Sequence, residues 1–185
     1  ADNLLTLDAV TLSSNNVGGS VSFDSLQTIS NTTLTLMEED EWSLPGVTTL
    51  LNTSVTIPED AALNMPALTS FTSDNGSTLL TVSGAGEFNA TQLSDITNLR
   101  FRLVLDAILI LPSVFSYEWN YCANRVLIVV DDGSVLSLPN LTNINLGALD
   151  CGAVPIIQSL NGSSLNLPDL ETITTSGRDR LRFDL

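Results

Sequence analysis

Lysine and histidine are both missing from this chain of 185 residues, and six arginines stand alone against 21 acids, a net charge of −15. With so little basic surface, nucleic acid and anionic lipid are poor partners, because both are held by clustered positive charge. No apolar run nears the roughly 18 residues of a membrane span, so no transmembrane helix is expected. No basic segment followed by an apolar stretch and small residues opens the chain, so no signal peptide remains, and the start "ADN" fits one already removed. There are only two cysteines, Cys122 and Cys151. What is plentiful is Ser, Thr and Asn beside 43% apolar residues, enough for a single domain over 1–185 with a real core and a surface suited to the outside of a cell.

The apolar residues recur in a phrase. "LNMPALTSF" at 63–71 returns as "LSLPNLTNI" at 136–144 and "LNLPDLETI" at 165–173. Aligned on the Pro or its equivalent, the anchors are Asp8, Asp24, Pro45, Pro66, Thr91, Pro112, Pro139 and Pro168, with 21 residues as the basic spacing and a single shorter step of 16 at the start. Positions three before, one before, two after and five after the anchor are apolar in every coil but one, where Ser13 stands. A further pair lies eleven and nine before it: Leu34/Leu36, Val55/Ile57, Leu80/Val82, Phe101/Leu103 and Ile128/Val130. Period-two alternation with β-branched residues is strand patterning. Between the pairs stand turn formers such as "EEDE", "PEDA", "GAGE", "DDGS" and "NGSS". Seven after the anchor an asparagine column is expected from Asn15, Asn31, Asn52 and Asn98, bonding backbone groups from coil to coil at a tight corner.

One such unit cannot bury its own apolar stripe, whereas stacked units bury it together. The pattern predicts an all-β fold, a right-handed parallel β-helix (β-solenoid) of about eight coils of 21–29 residues with no capping helix. A leucine-rich-repeat horseshoe, echoed by "LQTISN" and "LSDITN", is the alternative; it wants more than short strands and turns in each unit. The phrasing resembles the LxLPxLTxI…GSxLxLP repeats of large planctomycete-type bacterial cell-surface β-helix proteins, best at 131–144 and 159–173. It is more distantly similar to fungal cell-wall proteins with receptor-L-domain-like repeats. The resemblance implies a secreted or surface-exposed structural protein.

Candidate chemistry is sparse. Asp131 and Asp132 form an acid pair of the kind polysaccharide hydrolases use, but they sit in the turn column with Glu38, Glu39, Glu59 and Asp60, and the chain has no histidine and few other bases. An enzyme is therefore not expected. No metal or cofactor is assigned; Ca²⁺ at the acidic turns, "EEDE" at 38–41 above all, is a weak option. Arg100 and Arg102 flank Phe101 on a strand and read as a solvated face. Thr11, Thr48, Thr69, Ser94 and Thr142 form an interrupted ladder, three after the anchor, of the sort that binds ice. Trp119 and Tyr121 in "SYEWNYCANR" are an aromatic cluster that either covers the wall or meets a glycan. Of six N-x-S/T sequons, Asn75, Asn89, Asn140 and Asn161 are the candidate glycan carriers. Cys122 and Cys151 each lie 17 residues before the Pro of the next phrase, a shared phase that predicts a disulfide and an oxidising compartment.

The expected role is an extracellular structural or adhesive β-solenoid, a building block of a surface fibre or filament. A carbohydrate-binding or carbohydrate-processing β-helix is the alternative, and ice binding a third. Both ends read as stopping in mid-coil, with Leu181 and Phe183 restarting the strand pair of a further coil. Head-to-tail self-association or continuation of a longer chain is therefore expected, with glycans as further partners.

Overall fold

The computed structural model describes residues 4–15, 17–122, 125–147, 154–175 and 180–185. Every strand pair in it is parallel, and no helix occurs among the described residues. The chain is a β-solenoid of about seven turns with three walls. Wall 1 carries Thr6–Asp8, Thr28–Ser30, Thr49–Leu51 and Ser70–Thr72, a single bridge from Ser70 to Asp95, and then Ser116–Glu118, Asn143–Leu146 and Thr172–Thr175. Wall 2 is one continuous sheet of eight strands, from Thr11–Ser13 to Arg182–Asp184. Wall 3 has a four-strand part ending at Glu87–Asn89 and a three-strand part beginning at Ile108–Ile110.

The alternating pairs become walls 2 and 3, and the position five after the anchor proves to be a strand of its own. Ile29, Leu50, Phe71, Tyr117 and Ile144 sit there, one inward residue per coil, and all are buried. Ile29, Leu50 and Phe71 each have polar residues two places before and after them, so no alternation betrays this strand.

The recurring phrase is a turn between walls 3 and 1. The carbonyl before the anchor accepts from the amide two after it: Leu26 to Phe23, Val47 to Leu44, Leu68 to Met65, Leu93 to Ala90, Leu141 to Leu138 and Leu170 to Leu167, at 3.0–3.3 Å. Proline at the second place of such a turn is preset to the required φ of about −65° and gives up an amide the turn does not use. The flanking apolar residues both point inward, which is why Pro is bracketed by leucines.

The first coil needs a correction. Leu7 pairs with Ile29 and Leu12 with Leu34, so Asp8 is not the equivalent of Asp24. The carbonyl of Leu5 accepts from Gln27 just as that of Gln27 accepts from Thr48, which places Leu5 and Gln27 in one row. The apparent step of 16 is thus a misplaced frame: Leu5 and Leu7 imitate the pair before an anchor but lie beyond one. Ser13, the polar exception in the apolar columns, faces outward opposite Thr35. At the other end Phe183 pairs with Ile157, in the row of Ile128, so it opens the strand pair rather than closing it.

The core is the stack of inward columns, running as one cluster from Leu26 to Ile157. Leu138 is fully buried, whereas its neighbour Ser137 faces outward between Ile110 and Asn166. Leu138→Asp should therefore lower unfolding free energy by about 4 kcal/mol or more, from a buried unpaired charge plus lost burial, while Ser137→Asp should cost under about 1 kcal/mol. Urea or thermal unfolding of the two variants checks this, and equal costs would mean the register is wrong.

Candidate functional site

Asparagines form the spine of the corner between walls 1 and 2. Asn31, Asn52 and Asn98 have φ of 50°, 51° and 57°, the left-handed region that asparagine tolerates better than other residues with a side chain. Each amide bonds across to the next coil, Asn31 to Leu51, Asn52 to Thr72 and Asn98 to Glu118. The side chains make a second, parallel chain of bonds. Asn31 donates to Asp8 at 2.9 Å, and Asn52 donates to Asn31 at 3.2 Å and accepts from the Asp74 amide at 2.8 Å. Asn98 donates to the Ser73 carbonyl at 2.8 Å and accepts from the Asn120 amide at 2.6 Å. The bonds it accepts from the Ser30 hydroxyl and from Asn31 hold the Asp8 carboxyl below the usual carboxylate range. Asn15 does not join the column. Ala9, with φ of 55°, donates to Ser30 and takes the corner place above Asn31, a consequence of the shifted first frame.

A hydroxyl row lies inside the same corner. Thr32 donates to the Ser30 carbonyl at 2.7 Å and Thr53 to that of Leu51 at 3.0 Å, and both threonines are buried. The sequons at Asn31 and Asn52 are thus built into the wall.

The acids between walls 2 and 3 occupy turn conformations. Glu39, Asp60, Asp106 and Asp132 all have positive φ, from 51° to 62°. Asp131 accepts from Asn161 at 2.7 Å and from the Asp132 amide at 2.9 Å, which ties one member of the acid pair into the turn. Among the described residues, no group of three or more Asp, Glu, Cys or His side chains is arranged to hold a metal ion. Asp40 differs from its neighbours in "EEDE". It is buried, accepting from the amides of Gly19 and Met37 at 2.7 Å each and from the Ser14 hydroxyl, so its charge is fully bonded inside the solenoid. Five before the anchor the other coils place Gly19, Ala61, Gly86, Ala107, Ser134 and Ser163, small residues in a row that contains this one acid.

The insertion at 73–78 locks against Trp119, Tyr121 and Arg125. Trp119 is buried and donates its indole N–H to the Tyr121 carbonyl at 2.7 Å. Gly76 has φ of 62°, and a Cβ there would sit 2.8 Å from Trp119. Arg125 lies 5.6 Å from the Tyr121 ring centre and donates to the Gly76 carbonyl at 3.1 Å. Cys122 is disulfide-bonded; Cys151 lies outside the described residues.

The Thr row three after the anchor runs Gln27, Thr48, Thr69, Ser94, Phe115, Thr142, Glu171, each amide from Thr48 to Ser94, and those of Thr142 and Glu171, bonding to the preceding coil. Its hydroxyls do likewise: Thr69 donates to the Thr48 carbonyl at 3.2 Å, Ser94 to Thr69 at 3.3 Å and Thr142 to Phe115 at 3.1 Å. Thr11 is elsewhere, opposite Thr33 in wall 2.

Among the sequons, Asn140 is half-buried with its amide nitrogen on the Pro112 carbonyl at 2.6 Å. Asn89 is exposed and donates to Asn64 at 2.8 Å, and Asn161 is exposed and donates to Asp131. Asn75 is exposed and uses its oxygen to accept from the Ser77 amide at 2.9 Å, while its side-chain nitrogen makes no hydrogen bond.

Arg100 and Arg102 project from wall 2, Arg100 beside Arg125. Partial burial and the like charge of Arg125 both push the Arg100 guanidinium down from its ordinary value. Compared with protein-family models, with curated proteins and with solved structures, the chain finds no match.

The corner asparagines make a sharp test of how the coils are joined. Asn98→Ala should cost about 3 kcal/mol, because it strands the Ser73 carbonyl and the Asn120 amide and leaves a Cβ residue at positive φ. Asn98→Gly loses the same bonds but relieves the backbone, and should recover about 1 kcal/mol of that loss in equilibrium unfolding.

Proposed function

We propose that the chain is an extracellular structural or adhesive β-solenoid, a building block of a cell-surface fibre or filament. The observation that supports this is where the outward polar side chains go. The Asn corner and the Thr row spend their amides and hydroxyls on the neighbouring coil, so the rod's surface chemistry serves its length. Each coil pairs only with the coils before and after it, so stability is a sum over neighbours and the rod can be extended without changing its cross-section. Unpaired strand edges at any coil face can receive a further coil, from another copy or from more of the same polypeptide. A bridge from Cys122 to Cys151 would clip the two longest units, in keeping with an oxidising, extracellular setting. Asn75 is the sequon best placed to carry a glycan there.

Electron micrographs of the native material test this reading. Rods or fibres of one solenoid's width, lengthening by end-to-end joining, are the expected result. Dispersed compact particles with no axial joining would contradict it.

A further inference from the structure

Wall 3 is interrupted where Glu87–Asn89 closes one sheet and Ile108–Ile110 opens the next, with no ladder between the facing edges. A groove of about 520 Å³ lies at this break, lined by Glu59, Glu87, Leu105, Asp106 and Ile108 among others. Two of its lining residues are large, apolar and face water: Leu105 and Ile108 are 56% and 63% exposed, and Ile110, two places on along the strand, is 57% exposed. Leu105 is also strained, with φ of 59°. Asp106 bonds across to the Asp132 carbonyl and Gly133 to that of Asn161, which places Leu105 in line with Asp132 and Asn161. Those residues suit a left-handed turn; an exposed leucine suits neither the turn nor the core, and a broken local rule of this kind marks a surface with another use. Three carboxylates, Glu59, Glu87 and Asp106, edge the groove, and all three are exposed.

Wall 2 carries the reverse. A depression of about 320 Å³ is lined by Leu79, Arg100, Arg102, Val126 and Val129, with Arg125 beside Arg100. Arg100 donates to the Val126 carbonyl at 2.9 Å and Arg125 to Gly76 at 3.1 Å, so both guanidiniums are held by backbone. None of the three arginines is in an ion pair; the pair seen among the described residues is Arg182 with Asp184. The outward residues of the adjoining strands, Ser54, Thr56, Thr81, Ser83 and Gln158, contain no acid. In a chain with 21 acids and six arginines, three unpaired arginines around an apolar floor are an island of opposite sign.

We propose that these two patches bind each other between copies of this chain, the basic depression of one rod against the acidic groove of the next, with its exposed Leu105 and Ile108. Each has three charges of one sign around large apolar side chains, and the two match in both respects. A net charge of −15 repels copies everywhere else and so confines their approach to the one face where the sign reverses. The patches lie on different walls, so the contact is heterologous and each copy keeps a free groove and a free arginine face for further neighbours. Rods would thereby associate side by side, a contact separate from end-to-end joining.

Sedimentation velocity over a wide concentration series tests this. The wild type should self-associate reversibly, and added salt should dissociate it. Arg102→Glu, and separately the pair Glu59→Arg with Glu87→Arg, should each weaken association by about tenfold or more, since all three side chains are exposed and sit at the contact. Mixing the two variants should restore it, because the unaltered groove of the first then meets the unaltered arginine wall of the second. Leu105→Asn should keep or raise the melting temperature and still weaken association. A wild type that stays monomeric at low salt overturns the proposal, as does a mixture that fails to recover. Single, unbundled rods in micrographs would defeat the lateral contact and leave the scaffold reading standing.

Discussion

Everything in this molecule hangs on parallel pairing held in strict register from one coil to the next. A coil of about 21 residues has too little apolar surface to fold alone, so its inward side chains must meet those directly above and below. A slip of one residue would turn that whole set outward. The register is therefore guarded at all three corners: by left-handed asparagines between walls 1 and 2, by positive-φ acids and glycines between walls 2 and 3, and by the Leu-Pro turn between walls 3 and 1. Side-chain bonds from Asp8 through Asn31 and Asn52 to Asp74 run along the rod beside the backbone ladder. They tie neighbouring coils at the points where the strands themselves stop.

Walls 2 and 3 were legible because their inward residues alternate, and the third corner because Pro and its flanking leucines repeat. Wall 1 was less so, since an inward residue such as Ile29 has only Gln27 and Asn31 two places to either side and so shows no apolar period. The first coil misled for a physical reason: Leu5 and Leu7 alternate like a pair before an anchor, and only the pairing of Leu7 with Ile29 shows where they belong. Asn15 fell with that frame. Asp40 could have been found, because an acid in a row of Gly, Ala and Ser has to be bonded internally, and the structure satisfies it with two amides and a hydroxyl. Leu105 could have been found in the same way, as an apolar residue among turn formers. The meeting of Arg125 with Arg100 could not, because the irregular insertion before Arg125 has no repeat to place it.

The surface divides by sign and by use. Hydroxyls and amides on walls and corners are turned back on the rod, while the charges of the Glu59–Glu87–Asp106 groove and of the Arg100–Arg102–Arg125 face are in no ion pair among the described residues. Trp119, which composition alone would offer as a sugar platform, is buried against Gly76 and serves to fasten two insertions. Tyr117, in the wall nearby, is also fully buried; its hydroxyl donates to the Leu99 carbonyl at 2.7 Å, and burial pushes its ionisation far upward. Trp42, Phe71, Tyr117 and Trp119 are all buried, so these aromatic residues serve the packing of coils.

The register itself is open to a direct measurement by engineered disulfides on the outer face of wall 2. Thr35 and Thr56 are directly paired, and Thr56 with Thr81 one coil further on. Strands about 4.8 Å apart bring the Cα atoms of the first pair within bridging range, whereas residues two coils apart, at about 9.6 Å, are beyond it. Oxidised Thr35→Cys/Thr56→Cys protein should therefore form an internal disulfide readily, and Thr35→Cys/Thr81→Cys should not. A bridge in the second variant, or none in the first, would contradict the stacking on which the whole structure depends.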